Sequence, residues 1–221
     1  MRWRVAILIG VLLAGCSHFT AKPATTIDHG QPDELKGAII LALVGHGYEI
    51  AAATAEGIST RPRFAGSRDE LQWDIVARPT PAGAIIDTTA VNADGEIHER
   101  VAKWMVELRA TIDRHLKQRP AAELALIGRS FGARVTVTNA LPGSAACSPR
   151  GSVGATASGG LNGSRSVDVA RRMLEIEGLA KEADTVVIET NNLVPMGFTV
   201  GVTLTGTAYS CSGTGPAPTV P

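Results

Sequence analysis

The chain has 221 residues, with 21 Lys+Arg against 21 Asp+Glu and a formal net charge of zero. No basic surplus or run argues for nucleic acid, and none for an anionic lipid surface held by charge. The length admits one large domain or two small ones, and many glycines, few aromatics and Thr-rich, β-branched stretches suit an exported protein with a good deal of sheet.

The first element is a cationic start, Arg2 and Arg4, followed by an apolar run from Val5 to Leu13. That run is too short to cross a hydrocarbon core, which takes roughly 20 residues, and the layout is that of a secretory signal over residues 1–15. Leu13-Ala14-Gly15-Cys16 closes it and resembles the lipobox of bacterial lipoproteins, whose cysteine is acylated and becomes the first mature residue. The resemblance implies a lipidation site at Cys16 and attachment to a membrane through acyl chains. Ser17, where an aspartate favours the inner membrane, implies the outer membrane and a periplasm-facing body. An ordinary signal peptide cut nearby is the alternative. With Cys16 acylated, Cys147 and Cys211 remain, and in an oxidising envelope an even remainder reads as a disulfide. Two buried free thiols are the alternative. A metal site is disfavoured, because there is no C-x-x-C and no histidine beyond His115.

Residues 16–32 lack apolar periodicity and read as a tether. A first unit, residues 33–118, opens with a helix capped by Asp33, with Leu35, Ile39, Ala42 and Leu43 on one face. Gly45 and Gly47 stop it. Tyr48 to Thr60 alternates as a half-buried strand, Arg61 to Glu70 reads as a polar loop, and Leu71, Trp73 and Ile75 mark a second strand. Ala84 to Val91 is a third. Glu96 to Leu116 is the longest helix, with Val101, Met105 or Trp104, Leu108 and Ile112 as its apolar stripe.

A second unit, residues 122–212, follows Gln118-Arg119-Pro120. Leu124 to Ile127 and Arg134 to Asn139 read as strands, and Gly151 to Ser164 as a glycine-rich loop. Ser166 caps a helix running through Ala183, then Thr185 to Thr190 and Val200 to Tyr209 are strands. Residues 213–221 form a proline-broken tail. The expected fold class is α+β, two small two-layer α/β units, the second stapled by one disulfide.

Cys147-x3-Gly151-x-Val153, Ala180-x2-Ala183-Asp184-Thr185-Val186-Val187-Ile188 and Gly206-x-Ala208-Tyr209-x-Cys211 resemble the RcsF-like periplasmic lipoproteins over roughly residues 134 to 211. The resemblance implies a compact disulfide-stapled α/β fold without a catalytic centre, working through protein contacts at the outer membrane. Two cysteines stand here where the Rcs sensor has four besides its acylated one, and Asp184 departs from the Gly-Ala-Asn of its relatives. The staple Cys147–Cys211 carries over with the fold.

Gly128-Arg129-Ser130-Phe131-Gly132 matches G-x-S-x-G, the nucleophile elbow of serine hydrolases, with an apolar run before it. No histidine follows Ser130 to act as base, and Arg134 to Thr138 alternates as a strand, so the glycines read as a tight turn between strands. His98-Glu99 is followed by Ala102 where a zincin needs histidine. His46, between two glycines, reads as a turn residue. The glycine loop before the Ser166 helix lacks the lysine of a phosphate-binding loop. Glu175 and Glu177 read as solvated groups, Trp73 and Trp104 as core. The sequence therefore supports a non-catalytic envelope lipoprotein with no catalytic, cofactor-binding or metal-binding residues. Its expected role is protein binding or stress sensing, with an envelope protein as partner and no nucleic acid; a hydrolase using Ser130, or a small-ligand or metal binder, is the alternative.

Overall fold

The computed structural model describes residues 31–54, 57–61, 63–64, 72–80, 83–91, 95–141, 146–158, 164–196 and 199–212. The signal, Cys16 and the tail 213–221 lie outside them. So do the side chains of Trp73, His98, Glu99 and Trp104, although the backbone places them in a strand and a helix.

Helix α1 (Pro32–Gly45) starts on a proline at its first position, with Asp33 and Glu34 in the first turn, where the helix dipole favours acids. Asp33 is thus inside the helix, and the cap position is Gln31, which makes no side-chain cap bond. The expected single apolar face is also too narrow a description. Leu35 and every residue from Gly37 to Val44 are buried, so the helix is enclosed on all sides, as apolar composition all round requires.

Five antiparallel strand segments follow: β1 (Ile50–Ala53), β2 (Ile58–Thr60), β3 (Arg63–Phe64), β4 (Gln72–Thr80) and β5 (Gly83–Val91). β2 and β3 both pair with β4, opposite Val76–Ala77 and Gln72–Trp73 respectively, while β5 pairs with β4 along its whole length. The expected strand from Tyr48 to Thr60 is therefore two short ones, and β3 falls inside the expected polar loop. Tyr48, before β1, is buried in its own right. Helix α2 (Gly95–Gln118) then places Leu108 and Ile112 against α1.

Leu124 to Ile127 is helix, not strand. It lies in α3 (Ala121–Ser130), which begins after Pro120 and buries Leu124, Ile127 and Gly128 at helical spacing. A four-residue apolar run does not distinguish the two states. Two glycines let α1 and α3 touch backbone to backbone. A Cβ at Gly37 would stand 2.1 Å from the Leu124 carbonyl oxygen, and one at Gly128 2.1 Å from that of Asp33. Gly128 thus serves helix contact rather than a turn between strands. Gly132, at φ +101°, is the residue that lets the chain turn after the helix.

The second sheet has the order β6 (Thr136–Thr138), β8 (Thr185–Met196), β9 (Thr199–Ser212), β7 (Ala146–Ser158). β6 runs parallel to β8, and β9 is antiparallel to both β8 and β7. Helix α4 (Ser164–Ala180) joins β7 to β8 over the sheet. Most of the expected glycine loop is β7: Val153, Ala155 and Ala157 are buried while the residues between them are exposed, the two-residue period of a strand with one covered face. Ser166 lies inside α4 and donates to the Val200 carbonyl at 3.1 Å instead of capping. The helix ends at Ala180, not Ala183, and Glu182 at φ 54° turns the chain into β8.

One core holds the helices: Leu35, Ile39 to Leu43, Leu108, Ile112, Leu124 and Ile127, joined by Ile176 and Ala180 of α4. It draws on both sides of Pro120, so the first and second units are docked through α1, α3 and α4. A second core lies between α4 and its sheet, made of Val153, Ala155, Ala157, Ala170, Leu174, Val186, Val202, Leu204 and Ala208. The architecture is α+β with one disulfide.

Candidate functional site

The densest polar chemistry gathers where α4 ends and β8 begins. Cys147 and Cys211 are directly opposed in the β7–β9 ladder and are disulfide-bonded, 64 residues apart in sequence. Closing a loop of that length restricts the unfolded chain by about 4 kcal/mol in the chain-entropy picture. Asp184 locks the same end. Its carboxylate accepts the Cys211 N–H at 2.9 Å and the Thr185 hydroxyl at 2.8 Å. Its own N–H donates to the Tyr209 carbonyl at 3.1 Å, and its carbonyl accepts from Thr136 at 2.8 Å. One residue therefore ties β6, β8 and β9 together beside the sulfurs. Asparagine, as in the RcsF-like pattern, offers a single side-chain oxygen where Asp184 uses two.

Beside this lies an ion cluster. The Arg119 guanidinium grips the Glu177 carboxylate with two donors, Nη1 to Oε2 at 3.0 Å and Nη2 to Oε1. Glu177 is only 8% exposed, which corrects its reading as a solvated group. Lys181 Nζ donates to Glu123 Oε1 at 2.7 Å, and Arg119 also lies 3.9 Å from Glu123. The cluster bolts the α2–α3 corner to α4 with planar, bidentate recognition. Only one pair of it is local, Arg119 and Glu123 four apart across the start of α3; the Arg119–Glu177 and Lys181–Glu123 contacts join residues 58 apart. Glu175, also on α4, has its carboxyl raised by partial burial, against the opposing charges of Arg172 and Arg171.

A histidine corner joins α1 to α2. His46 is the C-terminal cap of α1, as a turn residue should be, and its Nε2 lies 3.3 Å from the Thr111 hydroxyl. That hydroxyl also donates to the Glu107 carbonyl at 2.9 Å. His115 is held down to about 4 by burial first, then by Arg119, Arg114 and His46.

Ser130 closes helix α3 and its carbonyl accepts from Ala133 N–H at 2.9 Å. A nucleophile elbow needs the serine on a strand-to-helix turn, and here the motif spans the end of a helix. Among the described residues no imidazole or carboxylate bonds its hydroxyl. Also among the described residues, no group of three or more His, Cys, Asp or Glu is placed to hold a metal, and no helix is long and apolar enough to cross a membrane. No family model, curated protein or solved structure matches the chain.

Proposed function

We propose that this chain is an outer-membrane lipoprotein, acylated on Cys16, whose periplasmic body binds other envelope proteins and reports on the state of the envelope. The observation that carries the reading is the disulfide between Cys147 and Cys211, a bond that persists in oxidising compartments. It stands together with the lipobox at residues 13–16. The RcsF-like pattern over residues 134 to 211 adds the role in protein contact. Anchoring through several acyl chains on one residue is far firmer than through one, and it keeps the folded body beside its partners.

Two measurements test the reading. Cells fed an alkyne fatty acid should label the wild-type chain and not Cys16→Ser; an unlabelled wild type overturns the anchor. Amine-reactive crosslinking in intact cells should trap defined envelope proteins on the anchored chain. Recovery of none overturns the binding role.

A further inference from the structure

We propose that the outer edge of β7 receives an extended segment of a partner protein as a fifth strand of the second sheet. This rests on the protein-binding reading above. The direction of the backbone groups follows from the ladder. The Tyr209 carbonyl accepts from Asp184 and the Cys211 N–H donates to the Asp184 carboxylate, so odd-numbered residues of β9 address β8. Even-numbered ones address β7, where Gly206, Leu204 and Val202 face Val153, Ala155 and Ala157. The alternation of an antiparallel ladder then turns the N–H and C=O of Ser152, Gly154, Thr156 and Ser158 away from β9. No described strand lies on that side, and all four residues are exposed.

The two edges of this sheet differ in a telling way. β6 covers only Thr185 to Val187 of β8, and beyond it β8 turns Asn191, Leu193 and Pro195 outward. Pro195 has no N–H to offer, and a bulge between Ile188 and Thr190 kinks the strand. Proline and bulges are how natural sheets discourage further pairing. From Ser152 to Ser158, β7 carries no charge and no proline, and its own bulge lies before Gly151, at the far end. Among the described residues, one edge is guarded and the other is open.

The chemistry of the occupant follows. Backbone donors and acceptors recurring at every second residue, about 6.8 Å apart, match an extended backbone and not a helix or a small ligand. The open face beside them holds Ser152, Thr156 and Thr203, with Thr156 and Thr203 hydroxyls 3.2 Å apart. A Cβ at Gly154 would find its nearest neighbours at 3.7 and 3.8 Å. A bulky or aromatic cross-strand residue of the partner therefore has room above that glycine. Residues 213–221 of this chain, with prolines at 216, 218 and 221, are poor strand formers for the same edge. A second copy would have to bring its own α4 and helical core alongside, whereas a lone segment brings only backbone and alternate side chains.

The test uses the full acylated chain. In isolation, the amides of Gly154, Thr156 and Ser158 should exchange with solvent much faster than those of Val153, Ala155 and Ala157. In cells, a photo-crosslinking residue at Ser158 or Thr156 should trap one of the partners that the amine-reactive reagent traps, and the same residue at Asn192 should not. Thr156→Pro removes one outward donor without touching the β9 ladder; it should cut the Ser158 product about tenfold. Ser158→Lys should do the same to the Thr156 product, with the melting temperature unchanged in both variants. If the amine-reactive reagent recovers a partner while both edge positions yield nothing, the edge is not the docking site and the binding role stands. If neither route recovers a partner, both fall. Slow exchange of the outward amides in the isolated chain also overturns the proposal. It would indicate a second copy if it depends on concentration, and another segment of this chain if it does not.

Discussion

The helical core and the stapled sheet solve the same problem with different materials. The largest fully buried side chains, Leu35, Ile39, Ile40, Leu41, Leu43, Ile58, Leu108, Ile112 and Leu124, all belong to the core around α1. Under α4, the sheet is lined chiefly by alanine and valine, with Leu174, Leu179 and Leu204 as its larger members. Buried apolar area contributes roughly 25 cal/mol per Å², so small side chains leave the sheet with less of it per residue. It compensates with long ladders, the Cys147–Cys211 bond and the Asp184 lock. The lesson is that this chain holds its helices by packing and its exposed sheet by covalent and hydrogen-bonded closure.

Four experiments break or sharpen that contrast. The largest effect is expected where the two regions are joined: Glu177→Ala strands Arg119 in a half-buried site and should cost about 3–5 kcal/mol in denaturant unfolding. Replacing both Arg119 and Glu177 with methionine should recover most of that loss. Next, Leu41→Ala should cost about 2–5 kcal/mol by opening a cavity in the helical core. Ala155→Gly on the sheet should cost only about 0.5–1 kcal/mol. Equal losses would erase the distinction between the cores. Third, Cys147→Ser should remove about 2–4 kcal/mol. Hydrogen exchange should locate the loosening in β7 and β9 and leave α1 protected; uniform loosening would show the two regions unfolding as one.

The smallest effect is the pH response of the helical side. His115 titrates near 4 in the folded state against 6.5 when free, because burial and the neighbouring Arg119, Arg114 and His46 disfavour its charged form. The unfolded chain binds the extra proton more readily, so stability is full above pH 6.5 and falls as the pH drops toward 4. Below that, His115 adds no further loss. Allowing for its partial exposure to solvent, the change is on the order of 1 kcal/mol. His115→Gln should flatten that part of the stability–pH curve.

Some of this was legible along the chain. The strand expected from Ala84 to Val91 lies in β5, and the core positions Leu35, Ile39, Leu108 and Ile112 follow from helical spacing alone. The disulfide between Cys147 and Cys211 is the pairing expected on reading Cys16 as a lipobox cysteine. Other features were not legible. Leu124 to Ile127 is too short a run for its period to be read, and its helical state depends on docking against α1. Gly151 to Ser158 looks like a loop by composition, because small residues, glycine, serine and alanine, make up six of its eight positions. Only the sheet that uses Val153, Ala155 and Ala157 as an inner face reveals the strand. Glu177 looked solvated because nothing in sequence places Arg119 near it, 58 positions away.

Local order, then, was settled by periodicity and residue type: which segments form the long helices α1, α2 and α4, and that Gly45 and Pro120 bound the first two of them. The tertiary structure alone decided what lies against what. It enclosed α1 on every side, set Gly37 and Gly128 at a backbone contact, gathered Arg119, Glu123, Glu177 and Lys181, and left the β7 edge of the second sheet with no described strand beside it. The reason is physical. Periodicity reports only that a face is apolar, whereas burial, ion pairing and edge exposure depend on partners brought from distant parts of the chain.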